Sequence, residues 1–188
     1  MILPIVAFGS GVLREKCKEI PKDYPDLTQL ISDMYESMYT ASGVGLATPQ
    51  INKAIRIFII DTTPFSEAED EENDIVPLKQ VFINPKMLDE KGQEWLFNEG
   101  CLSIPEIRED ISRKAEIEIE FLDENFKKHS KKFDGLTARV IQHEYDHLEG
   151  ILFTDKISPL RKKMLKGKLT DISKGKVEVS YKMRFAKR

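Results

Sequence analysis

Two cysteines in 188 residues, Cys17 and Cys101, are too few for the disulfide framework of a small secreted scaffold. A reducing compartment leaves both as thiols, and Cys17 reads as an ordinary small packing residue. Long apolar runs are missing as well. No stretch reaches the ~20 residues of a membrane-spanning helix. Met1-Ile2-Leu3-Pro4 has neither the basic start nor the apolar middle of a secretory leader. These absences set the expectation of a cytoplasmic protein with no membrane partner. Internal repeats and low-complexity modules are absent too. Histidine is scarce, with only His129, His143 and His147, so the placing of two of them together is informative. What remains, 40% hydrophobic and 32% charged residues, suffices for one buried core.

Leu27, Leu30, Ile31, Met34, Tyr35 and Met38 recur at threes and fours, predicting a first helix over 25–39 with Pro25 in its first turn. Ile55, Ile57, Phe58, Ile59 and Ile60 have strand length, and a second strand over 81–83 is expected to close at Asn84-Pro85. Between them lies a loop of about 62–78 whose six acids within 66–74 argue for a solvated excursion. Ala115, Ile117, Ile119 and Phe121 alternate with Glu116, Glu118 and Glu120, the period-two pattern of a half-buried strand with a solvated glutamate face. Asp134-Gly135 opens another helix, with Leu136, Val140, Ile141 and Leu148 inward and Gly150 offering a left-handed stop. These elements give an α+β domain of short, mostly antiparallel strands around a central metal-binding helix.

That helix carries His143-Glu144-Tyr145-Asp146-His147. Positions i and i+4 stack on one helix face, so both imidazoles reach one cation while Glu144 leans toward its water. Two histidines and a carboxylate on a solvated helix are the bland alternative. Hydrolytic metal sites usually take three protein ligands and leave a place for water. Gly150 fits the longer peptidase motif that ends in a third histidine, but Phe153 stands where that histidine would be. His129, inside Lys127, Lys128, Ser130, Lys131 and Lys132, reads as part of a solvated turn. Cys101, after Glu99-Gly100, is the remaining candidate, because a thiolate binds zinc or ferrous iron well.

The segments GVGLATPQ (43–50), EGCLS (99–103) and QHEYDH (142–147) together resemble, in order and spacing, the three motifs of bacterial peptide deformylases. The resemblance runs from about Ile5 to about Leu160. Thr48 departs from it, standing where alanine is usual, and the connection after Asp61 is longer and more acidic than in short members.

The resemblance implies metal-dependent hydrolysis of the N-formyl group from the initiator methionine of nascent polypeptides. Cys101, His143 and His147 would then hold one divalent ion, Fe2+ in the cell, with Zn2+, Ni2+ or Co2+ able to replace it. Glu144 would act as general base and then general acid. The side-chain amide of Gln50 and the backbone N–H of Leu102 would face the oxyanion. Gly43 and Gly45 would let the substrate backbone approach as an added strand, though a simple turn also explains them. Val44, Phe97, Leu136 and Val140 match the methionine pocket, with the stem of Arg139 at its rim. Each is equally readable as ordinary core. Arg113 would pair with Asp146, steadying the metal helix. The alternatives are a zinc metallopeptidase cutting internal bonds and a catalytically silent ribosome-binding relative; the thiolate motif and missing third histidine weigh against the first, the intact ligands and Glu144 against the second.

Charge is unevenly distributed. From Lys156 onward, twelve Lys and Arg face only Asp171 and Glu178, a net +10 against −13 for the rest. Such a segment suits an anionic partner, and the resemblance points to the ribosome near the exit tunnel. A solubilising tail in which Val177, Val179 and Tyr181 add an edge strand is the alternative. The expected organisation is a single catalytic domain over 1–166 and a basic extension over 167–188, acting as a monomer.

Overall fold

The computed structural model describes residues 1–66 and 76–186, so the acidic run at 67–74 lies outside the described residues. Strand β1 (Ile5–Val6) leads to helix α1 (Leu27–Thr40), whose Leu30, Met34 and Met38 are buried at intervals of four. Pro25 precedes this helix instead of entering its first turn, and Asp26 makes the entry at φ 54°. Strands β2 (Gly45–Ala47) and β3 (Ile57–Asp61) follow, then the single turn α2 (Thr63–Ser66). β4 (Lys79–Cys101), β5 (Ile104–Leu122) and β6 (Lys128–Asp134) complete an antiparallel sheet in the order β2-β3-β4-β5-β6. α3 (Gly135–Leu148) and α4 (Pro159–Ser173) come next. The last strand, β7 (Met183–Arg184), pairs in parallel with β1.

The strands are not uniformly short: β4 and β5 run 23 and 19 residues. Asn84-Pro85 does not close its strand. Asn84 takes φ 48° and the register slips between Ile83 and Lys86, but its side chain exchanges 2.9 Å hydrogen bonds with both the N–H and the C=O of Ile20. A bulge whose polar groups are satisfied by a neighbouring loop bends a strand without ending it. His129 is likewise not in a turn: it lies on β6, 2.7 Å from Asp123 and stacked on Phe121.

α3 packs across the sheet through Ala138, Ile141 and Leu148, against Phe58, Phe82 and Phe121; the Phe58 and Phe82 rings stack at 4.5 Å and Phe121 lies tilted 4.3 Å from Phe82. Gly150 ends the turn beyond it at φ +73°, where a Cβ would also stand 2.7 Å from the carbonyl of Arg14. Conformation and space both demand glycine there. A boundary after Lys166 falls inside α4, which buries Leu165 and Ile172. The strand beyond it forms at Met183–Arg184, not around Val177, Val179 and Tyr181. The basic segment is therefore woven into the body of the fold. Among the described residues, no helix is long and apolar enough to cross a membrane.

Candidate metal centre

Two elements meet to build the site. α3 presents His143, Glu144 and His147, and Cys101 stands at the end of β4 where the chain turns into β5. One ligand atom each from Cys101, His143 and His147 falls within a 4.8 Å cluster, with Cys101 Sγ 3.3 Å from His147 Nε2. Among the described residues this is the only such group of three.

Glu99, which the sequence shows only as the first residue of the EGCLS segment, organises what surrounds the ligands. Two positions before Cys101 on β4 and 4% exposed, it accepts from His143 Nδ1 at 2.9 Å, from Arg113 at 2.7 and 3.0 Å and from Arg139 at 3.0 Å. The signal was the spacing, since residues i and i+2 of a strand share a face. With Nδ1 so engaged, His143 is left to offer Nε2. Burial pushes the Glu99 pKa up, but hydrogen bonds from His143 and Arg113 outweigh it and hold the carboxyl well below its usual range.

Arg113 does reach Asp146, at 2.6 Å. Arg139 is buried and also borders the cleft over the site; it donates to the carbonyls of Ile111 and Trp95 and lies 4.4 Å above the Trp95 ring. Burial and the charge of His143 lower the pKa of His147 well below the histidine range, whereas His143, against its own burial, is raised well above it by hydrogen bonds with Cys101 and Glu99; a metal ion would displace the proton from His143 as it binds.

Glu144 is 4% exposed, and among the described residues its Oε2 has no hydrogen-bond partner. Burial raises its pKa to about 7, with the charge of His143 acting in the opposite direction. A Cβ on Gly45 would lie 2.4 Å from Glu144 Oε1, and one on Gly43 would lie 2.8 Å from Leu102 Cδ1. The two glycines therefore make room for the chain's own side chains, a reason not visible in the sequence. Gln50 accepts from the N–H of Ala47 at 2.8 Å, which aims its amide nitrogen to within 3.5 Å of Cys101 Sγ and 3.4 Å of Ser103 Oγ. Behind it the Thr48 hydroxyl donates to the carbonyls of Ile55 and Ile57 at 2.6 and 3.1 Å, so the departure from alanine is fully satisfied.

A cleft of about 540 Å³ opens over these groups, and its lining includes Gly43, Val44, Gly45, Gln50, Phe97, Leu102 and Val140. Phe65 and Tyr181 also line it, two residues that sequence reasoning did not place in the site. Leu136 does not join them: it lines a separate cavity with Pro77 and Phe133, one turn before Val140 on the same helix.

One thiol sulfur and two ring nitrogens in a tight, largely buried cluster, beside an unpartnered buried carboxylate oxygen, fit a divalent ion such as zinc or ferrous iron.

The polypeptide deformylase family model matches residues 2–163. Peptide deformylases of Christiangramia forsetii and Flavobacterium johnsoniae are 56% and 55% identical to the chain, over 98% and 99% of its length and 96% and 97% of theirs. The crystal structure of a peptide deformylase from Legionella pneumophila superposes with a TM-score of 0.80 at 34% identity, covering 94% of this chain and 98% of that one. The Thermotoga maritima enzyme gives 0.73 at 35% identity, covering 85% and 99%.

Proposed function

Because the chain belongs to the polypeptide deformylase family, we propose that Cys101, His143 and His147 hold the metal ion at which it removes the N-formyl group from nascent polypeptides. The chain is a metal-dependent hydrolase of amino-terminal processing, and its matched relatives lend no support to an internal-bond peptidase or a silent relative. The observation that carries the assignment is the three-atom cluster with Glu144 beside it. Ferrous iron is the proposed metal in the cell, supported by the mixed thiolate and imidazole set. When bound, the ion supplies positive charge that makes hydroxide available near neutral pH and polarises the formyl carbonyl.

Glu144 takes the proton of the attacking water and later returns it to the departing amine, roles open to a buried carboxyl that stands beside the three ligands. Gln50 Nε2 and the N–H of Leu102 donate to the oxyanion that forms as water adds. Glu99 keeps His143 in the right tautomer. β2 is the end strand of its sheet, so Gly43 to Gly45 offer backbone for a substrate strand. Val44, Phe97 and Val140, with Phe65, form the apolar slot for methionine; Leu136 is left out because it faces the other cavity.

The enzyme acts in the cytoplasm as a monomer. Lys162, Lys163, Lys166 and Lys168, all exposed on α4, bring it to ribosomal RNA near the exit tunnel. Metal analysis of anaerobically purified protein, run beside formate release from formyl-Met-Ala-Ser, tests the main assignment. Formate is expected from the formyl peptide, while the acetyl analogue should be left nearly untouched, with little free amine released from it. Comparable cleavage of internal bonds would overturn it.

A further inference from the structure

Cys101 and Ile104 are paired, so Leu102 and Ser103 are the two central residues of the turn joining β4 to β5. The peptide between such residues is the one whose rotation interconverts the common turn types. Its carbonyl, and the carbonyl of the peptide that follows, are tied to distant parts of the chain. The Ser103 carbonyl accepts from the N–H of Phe8 at 2.8 Å. The Leu102 carbonyl accepts from the hydroxyl of Tyr181 at 2.8 Å. Tyr181 is half-buried, and burial pushes its pKa up to about 12, so the hydroxyl keeps its proton and donates at neutral pH.

The tether is well anchored. After α4 the chain reverses at Gly175, φ +76°, and runs back along the amino-terminal segment. There the N–H groups of Ile5 and Ala7 donate to the carbonyls of Lys182 and Arg184 at 2.8 and 2.9 Å. Tyr181 therefore stands one residue before a hydrogen-bonded segment, with little freedom to withdraw. On the far side of Leu102 its side chain lies against Gly43. Leu102 is thus held between the carboxy-terminal segment and the first glycine motif, across the cleft that all three line. Tyr181 lies beyond residue 163, where the family match ends.

We propose that Tyr181 is a positioning residue for deformylation: by holding the Leu102 carbonyl its hydroxyl fixes the turn that carries the Leu102 N–H, so that this N–H stays aimed at the oxyanion. That N–H belongs to the preceding peptide, so the tie acts through the Leu102 Cα that the two peptides share: it holds the turn in place, and with it the Cα on which the N–H is carried. The inference rests on the role given to Leu102 above. A donor that must first be oriented contributes less to the transition state than one already in place.

The test is steady-state kinetics of the full-length, metal-loaded protein on formyl-Met-Ala-Ser, for the unsubstituted chain, Tyr181→Phe and Tyr181→Ala. Tyr181→Phe keeps the ring and removes only the hydroxyl. It is expected to lower kcat by about three- to tenfold, a fraction of the loss seen when an oxyanion donor is deleted. KM, metal content and the unfolding midpoint should match the unsubstituted chain. Tyr181→Ala should show at least the same loss in kcat and, having lost a wall of the cleft, a raised KM that Tyr181→Phe restores. A Tyr181→Phe variant with unchanged kcat would overturn the proposal, and so would a fall in kcat that tracks lost metal or a lower unfolding midpoint. Formate release by the unsubstituted chain reads the deformylase assignment by itself, so the two failures are distinct. Should Tyr181→Ala not fold, Tyr181→Phe decides alone.

Discussion

Gly45 and Glu144 are packed so closely that a methyl group on one would fall 2.4 Å from Oε1 and 2.8 Å from Cγ of the other. The carboxyl is buried, so it cannot swing into solvent to relieve the contact. Gly45→Ala should displace Glu144 from its place beside the metal ligands and cut turnover at least tenfold, at a stability cost of about 1–3 kcal/mol typical of overpacking. Formate-release kinetics alongside a denaturant titration will check both numbers, and normal turnover in this variant would show that Glu144 tolerates being moved.

Glu144 should also be separable from metal binding. Glu144→Gln is expected to retain its metal and to lose on the order of a hundredfold or more in turnover, as for a missing general acid and base. In metal-free protein the same substitution has a pH signature. Because folding raises the Glu144 pKa from 4.5 to about 7, its contribution to stability is full below pH 4.5 and is lost as pH rises through about 7. Over that window the stability of Glu144→Gln relative to the unsubstituted chain should rise by up to about 3 kcal/mol. Urea midpoints at several pH values measure it; parallel curves would argue against a strongly raised pKa.

Glu99→Gln should harm both the fold and the metal. It removes the charge that Arg113 and Arg139 face in a buried setting and turns one of the two oxygens that accept from His143, Arg113 and Arg139 into an NH2 donor. Breaking such a network from one side costs about 3–5 kcal/mol, and loss of a ligand's hydrogen-bond partner typically weakens metal binding by about 10–100-fold. Competition with a chelator reads the second effect. Cys17→Ala, by contrast, touches no ligand and should leave metal affinity unchanged.

If ferrous iron is the working metal, activity should decay in air and under peroxide, because the iron and the Cys101 thiolate are both oxidisable. Zinc-loaded protein should lose activity more slowly under the same exposure. Cys101→Ala should come off the column depleted in metal. Equal decay of the two metal forms would move the cause away from iron.

Ribosome docking should be tested by charge reversal on α4, since truncation after Lys166 would cut the helix and remove Ile172 from the core. Replacing Lys162, Lys163, Lys166 and Lys168 with glutamate is expected to preserve activity on a small formyl peptide while ribosome binding falls. In the unsubstituted chain that binding should weaken steeply with added salt, as counterions compete for phosphate. Binding indifferent to salt would leave the basic segment with a structural role only.

The sequence alone determined which groups could bind metal and which family the chain resembles. His143 and His147 are four apart on a helix, a local relation set by backbone pitch, and three motifs in order need no coordinates to be recognised. The first helix and the Ala115–Phe121 alternation were legible for the same reason: their periodicity records one buried face. Tertiary structure decided what depends on contacts between distant segments. Asn84 bends a strand without ending it because Ile20 satisfies its side chain. Leu136 and Val140 part company because one helical turn separates two cavities. Gly45 is glycine because Glu144, almost a hundred residues later, fills the space of its side chain, and Tyr181 reaches Leu102 because β7 returns to lie beside β1. Periodicity is written along the chain, whereas these relations arise when segments remote in sequence pack, and only the folded arrangement holds them.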